Sequence, residues 1–342
     1  MADARELLER VWRGRDASAR AARILLAPAE VLYRAAIIAR GELYDRGIFP
    51  AYEFSVPVLS IGNLSVGGTG KTPVAAWFAS QLIARGAHPA IVLRGYGGDE
   101  TLVHQRLNPG IPVVASSDRV RGIRSAIAEG CSVVVLDDAF QHRRADRDSD
   151  VVLLNADAWT GSVRLLPAGP WREPLVAARR ASLAIITRKT ARSEIVDDLR
   201  RAIRQAAPAV PIAIIHLTPN ELRSTATGRA LPLQAIEGAD LTAVAAVAHP
   251  DAFFRQLTER GAIVRPHSFP DHHAFTRAEA AALARESTSS DFVVCTLKDA
   301  VKLEPLWPAE AGSLWYVSQR LRVEDGRQHL EHVIEGILAR AD

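Results

Sequence analysis

Apolar residues along this chain change their period once. Up to residue 50 they recur at helical spacing. From Pro57 they gather into short unbroken runs separated by longer amphipathic stretches. The runs VPVLSIG, AIVLRG, IPVVAS, SVVVLDD, DVVLLN and LAIITR predict strands buried on both faces, and helices are predicted over 73–85, 119–129 and 193–206. Strands alternating with helices predict βαβ units and a mainly parallel, doubly wound α/β sheet.

The texture changes over 211–233. IAIIHLTPNELRSTATGRALPL reads as two extended pieces about a polar turn, a β-ribbon rather than a helix. Alternation then resumes through LTAVAAVA, a helix over 251–260, AIVRPHSF, a helix over 277–286, DFVVCTL, SLWYVS and a helix near 328–340. The predicted organisation is a first domain over 1–210, a ribbon linker over 211–233 and a second, smaller α/β domain over 234–342.

Composition narrows the classes. The 342 residues are 48% hydrophobic and 24% charged, an ordinary globular balance. Cys131 and Cys295 both sit in strand-like runs, so they imply a reducing, cytoplasmic setting rather than a disulfide framework. A net charge of only +3, with 6% aromatic residues that do not interleave with the basic ones, argues against nucleic acid as a partner. No uncharged apolar stretch is long enough to span a bilayer, and the N-terminal twenty residues lack a signal peptide's apolar core.

One local stretch stands apart. Residues 17–40 mix Ile24, Leu25, Leu26, Val31, Leu32, Ile37 and Ile38 with Arg20, Arg23, Arg34 and Arg40, and Glu30 is the sole acid, giving a local net charge of +3. Two readings stay open: a cationic amphipathic helix lying in a membrane interface, or a helix packed on its own domain with arginines facing water.

The strongest chemical signal is Ser65-Val66-Gly67-Gly68-Thr69-Gly70-Lys71-Thr72. It fits the P-loop pattern except that Ser65 replaces the first glycine. A predicted strand leads in, and a helix leads out with Pro73 in its first turn, where a missing N–H costs nothing. The alternative is a glycine-rich turn before a helix, and strand, loop, GKT and helix in that order argue against it. In a P-loop the backbone N–H groups surround phosphate, Lys71 reaches the terminal phosphates, and the Thr72 hydroxyl takes a place on Mg²⁺. The run SVVVLDD ends in Asp137-Asp138, and Asp137 is the expected strand-end acid for that Mg²⁺. No guanine-reading N-K-x-D motif is present, so ATP is expected rather than GTP.

Taken in order, SIGNLSVGGTGKTP (60–73), LRGYGG (93–98), DDAFQH (137–142), LLPAGPWREP (165–174), FPDHHAFT (269–276) and TLKDAVKL (296–303) resemble the tetraacyldisaccharide 4′-kinase family through most of the chain. The resemblance implies a membrane-associated kinase on the cytoplasmic face of the inner membrane. It would transfer the γ-phosphate of ATP to the 4′-hydroxyl of a glycolipid, tetraacyldisaccharide 1-phosphate, forming lipid IVA. It also implies two α/β/α domains joined by a β-ribbon, an active cleft between them, and His272 as the catalytic histidine working with Asp99. The chain departs from the family pattern at Ala139 (usually Gly), at Ala248-His249-Pro250 (usually Gly-Asn-Pro) and at Leu297 (usually Glu). A loop before Asp99 is also shorter, by about twenty residues, a change a surface loop tolerates.

Read from the residues alone, Asp271-His272-His273 is a polar approach to a helix, without further ligands at zinc spacing. Asp99 is expected on the loop after the second strand, with domain closure bringing His272 to it. Asp138 and His142 are expected to hydrogen-bond each other in support of the site. Arg119 and Arg172 are candidate contacts for substrate phosphate, because the guanidinium fork suits phosphate geometry. Two alternatives compete: a soluble P-loop kinase or ligase for a small metabolite, and a nucleotide-switched membrane-surface adaptor. The Asp-His-His segment opposes the second, and the cationic amphipathic stretch opposes the first.

Overall fold

The computed structural model describes residues 8, 10–12, 14, 16–95, 98–247 and 250–341. Tyr96 and Gly97 of LRGYGG, the Ala248-His249 departure and most of the first fifteen residues, including much of the segment screened for a signal peptide, lie outside them. The chain forms two compact units. Unit 1 takes the described residues within Met1–Gly95, Leu107–Leu217 and Leu321–Asp342, and unit 2 takes those within Tyr96–Arg106 and Thr218–Arg320.

In unit 1 a parallel sheet is built from β1 (Val58–Asn63), β2 (Pro89–Leu93), β3 (Val113–Ala115), β4 (Val133–Asp137), β5 (Ser149–Asn155), β6 (Leu183–Arg188) and the first half of β7 (Ile212–Ser224). Their order is β7-β6-β5-β1-β4-β2-β3. Alternation along the strands sorts their side chains to two faces. Leu59, Ile61, Val133, Val135, Val151 and Leu153 pack with Val74, Phe78 and Leu82 of α2 (Lys71–Ile83). Their sequence neighbours Val134 and Leu136 pack on the other face with Val120 and Ile123 of α4 (Arg119–Ala128), and Val152 and Leu154 with Val196 and Leu199 of α5 (Ser193–Ala206). That two-sided burial is why the strands read as unbroken apolar runs. β1 lies between β4 and β5, so the loop leaving its end opens at the point where the strand order reverses, where α/β sheets take their ligands.

Unit 2 holds β9 (Asp240–Ala245), β10 (Ile263–Ser268), β11 (Phe292–Thr296) and the first half of β12 (Leu314–Asp325), ordered β10-β9-β11-β12 and parallel. On one face lies α6 (Pro250–Thr258), through Phe254 and Leu257. On the other lie α7 (Arg277–Glu286) and α8 (Leu297–Leu303), through Ala280, Leu283, Ala300 and Leu303. β8 (Ala230–Pro232) folds back antiparallel on β7 across the predicted polar turn. β7 and β12 each begin in one unit and end in the other.

The division drawn from sequence differs from this at three places. Residues 212–216 of the supposed linker are a strand of unit 1, paired with β6. The C-terminal helix α9 (Arg327–Leu338) also belongs to unit 1, because Leu330, Val333, Ile334 and Ile337 complete the core over α2. The third difference is α3 (Asp99–Leu107), a helix where a loop was expected, of which residues 99–106 belong to unit 2. Asp99 and Glu100 in its first turn and Arg106 in its last complement the helix dipole. That signal was present in the sequence, but the short apolar content hid it.

α1 (Ala17–Asp45) is long and capped by Asp16, whose carboxylate accepts from the Ala19 amide at 2.7 Å. Its orientation is unusual. The buried side holds Ala19 and the acid Glu30, while Ile24, Leu25, Val31, Leu32 and Ile38 are 51–81% exposed along the opposite side. Among the described residues no helix is long and apolar enough to cross a membrane.

Candidate functional site

Two clusters of functional side chains are present, one in each unit. In unit 1, β1 is buried along its whole length and fixes the start of the P-loop. Gly67 and Gly70 take positive φ values of 115° and 81°, which side chains rarely adopt. A Cβ on Gly70 would lie 2.5 Å from Leu217 Cδ1, whereas Gly67 and Gly68 face open space. Thr69 ties the loop down: its hydroxyl accepts from Asn63 Nδ2 at 2.9 Å, and its carbonyl accepts from the Thr187 hydroxyl at 2.9 Å. The Gly68 carbonyl accepts from Asn155 Nδ2 at 3.1 Å. The backbone is thus held from behind while its front stays accessible, which suits a phosphate cradle.

A second segment, 165–173, runs beside the loop. Ser65 bridges Trp171 antiparallel, Val66 N donates to Pro170 O at 2.7 Å, and Arg172 N donates to Leu64 O at 2.7 Å. This pairing accounts for the LLPAGPWREP motif. It also delivers the Arg172 guanidinium to Asp138 Oδ1 at 3.0 Å, with Gln141 Oε1 at 3.4 Å and Asn63 Oδ1 at 3.5 Å. Lys71 Nζ lies 3.6 Å from the same Asp138 oxygen. Burial acts to raise the Asp138 carboxyl, but the Lys71 and Arg172 cations outweigh it and hold it below the ordinary carboxylate value. Asp138 sits at φ 53°, a left-handed backbone uncommon outside glycine and asparagine, which turns its side chain toward those cations.

Asp137 ends β4 in register with Ile61 of β1 and is buried. Thr72, in the first turn of α2, stays partly accessible. A hydroxyl and strand-end carboxylates are the hard oxygen donors that Mg²⁺ takes together with water and phosphate. Among the described residues no group of three His, Cys, Asp or Glu forms an all-protein metal cage. The donor set therefore fits a phosphate-bridged Mg²⁺ and not a structural zinc.

Two expectations for unit 1 are corrected. Asp138 is engaged by Lys71 and Arg172 rather than by His142. Burial first, then the positive charge of Arg119 and Arg147, push His142 down to about 4, so it is a neutral imidazole at physiological pH. Arg119 is buried, with Nη1 donating to Ser116 O at 2.7 Å, so it contributes field rather than an open fork for substrate. The residues missed in the sequence are Asn63 and Gln141. Both lie inside quoted motifs, one before the P-loop and one after the paired aspartates.

In unit 2, Asp99 opens α3 and is 4% exposed. Its Oδ2 meets His272 Nδ1 at 3.1 Å, so the pair forms within one unit and needs no domain closure. His272 takes φ 60°, and its amide donates to Ala246 O at 3.3 Å, a strained turn that aims the ring. Its neighbour His273 points elsewhere, to Glu279 Oε1 at 3.1 Å, so the two histidines do not share a ligand. The hydrogen bond that His272 donates to Asp99 is the main influence raising His272 above the ordinary histidine value. Burial works to raise Asp99, but the His272 contact and the charges of His272, Lys298 and Lys302 bring it below the ordinary carboxylate value. The two shifts reinforce each other, each partner favouring the charged form of the other in a preformed pair.

With this geometry in place, comparison with known proteins is specific. The sequence model described as LpxK, Tetraacyldisaccharide-1-P 4'-kinase, matches residues 22–339. A tetraacyldisaccharide 4'-kinase of Anaeromyxobacter dehalogenans (strain 2CP-C) is 40% identical over 86% of this chain and 83% of its own length. One of Halorhodospira halophila is 37% identical over 92% of this chain and 93% of its own length. The crystal structure of the "apo" form of LpxK from Aquifex aeolicus in complex with ATP superposes with a TM-score of 0.72 at 27% identity, covering 92% of this chain and 99% of that one.

Proposed function

Because the chain belongs to the tetraacyldisaccharide-1-P 4'-kinase family, we propose that it transfers the γ-phosphate of ATP to the 4′-hydroxyl of tetraacyldisaccharide 1-phosphate, forming lipid IVA in lipid A biosynthesis. The observation that carries this is a P-loop open at Gly67 and Gly68 together with the Asp99–His272 pair. A nucleotide switch has no need of such a base, so the kinase reading is preferred over the adaptor.

Each residue then has a task. The loop amides and Lys71 bind and neutralise the transferring phosphate. Asp138 and Arg172 hold Lys71 and the loop in register. Thr72 and Asp137 would hold Mg²⁺, which supplies charge neutralisation across the phosphates when bound. Asp99 accepts the proton of the attacking hydroxyl. Its depressed value keeps it ionised at neutral pH, and His272 fixes which oxygen lone pair is presented. The deciding experiment offers ATP with the tetraacyl disaccharide 1-phosphate or with a water-soluble sugar. Turnover confined to the glycolipid is expected, and equal turnover of the sugar would favour the small-metabolite kinase.

The orientation of α1 favours the membrane reading of residues 17–40. A helix that served only its own domain would turn Ile24, Leu25, Val31, Leu32 and Ile38 inward, whereas here they face out beside Arg20 and Arg34. The proposal is a peripheral enzyme at the cytoplasmic face of the inner membrane, held by this face and by anionic lipid. Leu25→Glu combined with Leu32→Glu is expected to reduce sedimentation with phosphatidylglycerol vesicles about tenfold or more, while activity on detergent-dispersed substrate is kept. Equal loss of both would mean that the face serves folding instead.

A further inference from the structure

The inward side of α1 carries two polar groups that an anchor alone does not need. Glu30 is 8% exposed, and Tyr33 follows it by three residues, on the same side of the helix. Glu30 Oε1 accepts from Leu165 N at 2.8 Å, with Arg164 Nη1 at 3.5 Å from Oε2 and Arg34 Nη2 at 3.9 Å from Oε1. The Tyr33 hydroxyl donates to Arg172 O at 2.9 Å. The two side chains therefore grip residues 165 and 172, the two ends of the segment that runs beside the P-loop.

That segment is a closed strap. Gly169 N donates to Leu165 O at 2.8 Å, Leu166 N to Trp171 O at 2.9 Å, and Trp171 N to Arg164 O at 3.1 Å. A Cβ at Gly169 would lie 2.3 Å from Arg164 Cβ, so the strap has no slack there. Its outer edge makes the bonds Val66 N to Pro170 O and Arg172 N to Leu64 O, and its Arg172 side chain reaches Asp138. A displacement at either end of the strap is thus passed to the phosphate loop and to the partner of Lys71 through consecutive hydrogen bonds.

We infer that Glu30 and Tyr33 are positioning residues for the nucleotide site: α1 braces the strap, and the strap sets the P-loop and Arg172. Neither residue touches substrate. The buried carboxylate of Glu30 matches the Leu165 amide, and the Tyr33 hydroxyl supplies a donor for the Arg172 carbonyl. The inference rests on the kinase reading for its ATP measurement but not for its exchange measurement.

The test uses the full chain in detergent without vesicles, as wild type, Tyr33→Phe, Glu30→Ala and Glu30→Gln. Amide hydrogen exchange is followed in peptides covering 164–173 and 64–72, alongside the ATP Kd and the KM values for both substrates. Tyr33→Phe and Glu30→Ala are each expected to speed exchange in both peptides and weaken ATP binding about fivefold, the loss of one ordinary hydrogen bond. The KM for glycolipid should stay unchanged. Glu30→Gln keeps an acceptor for Leu165 N and should restore the wild-type pattern. Faster exchange in 164–173 alone, with the loop and ATP Kd as in wild type, overturns the inference and leaves a merely structural brace. Should Glu30→Ala fail to fold, Tyr33→Phe decides alone, since it keeps the ring and removes only the hydroxyl. A wild-type chain that bound no ATP would sink the kinase reading, while loop exchange would still decide the brace.

Discussion

Lys71→Ala is expected to lower kinase turnover by at least about a thousandfold while leaving the fold intact, because it removes a positive charge aimed at the phosphate in transfer. The ammonium lies 3.6 Å from Asp138 and is only 15% exposed, so its charge is held at the mouth of the loop. The substitution leaves Arg172 paired with that carboxylate, and the Asp138 carboxyl should move back toward its ordinary value. Steady-state turnover with far-ultraviolet circular dichroism on the same samples checks both halves. Wild-type rates in Lys71→Ala would overturn the P-loop assignment.

The second large effect concerns the pair in unit 2. Asp99→Ala and His272→Ala are each expected to lower kcat by about two to four orders of magnitude, the span of general acid–base loss. ATP affinity should change little. Since the two side chains meet at 3.1 Å, the double variant should be scarcely worse than the worse single one. Multiplicative losses would show that they act independently, and a near-normal Asp99→Ala would transfer attention to Glu100. The pair also sets a pH window. His272 is raised in the folded state, so its contribution to the stability of unit 2 is fully present below the ordinary histidine value and fades as pH rises through the raised one. Asp99 is lowered, so its contribution is present above the ordinary carboxylate value and fades as pH falls through the lowered one. Unfolding midpoints measured across pH should therefore show a plateau between those limits, flattened on both sides in His272→Ala.

The sequence carried the nucleotide loop well, because strand, glycines, GKT and helix are contiguous and each obeys a local rule. The central strands of both units were equally legible, since burial on two faces leaves unbroken apolar runs. What local rules could not supply was partnership. Nothing in the spacing of Leu330, Val333, Ile334 and Ile337 says which sheet α9 covers. Periodicity announced that residues 17–40 were amphipathic but not that Glu30 would face in and Ile24 and Leu25 out. Asp138 and His142, four residues apart, invited a pairing, but the left-handed backbone at Asp138 sends its carboxylate to Lys71 and Arg172 instead. The strap was visible as a family-like motif whose purpose, pairing with the P-loop backbone, is a contact between segments far apart in the chain.

The interleaving of the units has a consequence for how the protein is made. A ribosome delivers 218–320, nearly all of unit 2, before it reaches 321–342, which unit 1 still lacks. Until residues 327–338 emerge, Phe78 and Leu82 on α2, the helix that follows the nucleotide loop, are without the α9 side chains that share their core. Unit 2 can close its sheet as soon as β12 appears, whereas unit 1, although begun first, is sealed last. A nascent chain halted near residue 320 would therefore present a finished second unit and an open first one, with the apolar face of α2 still uncovered.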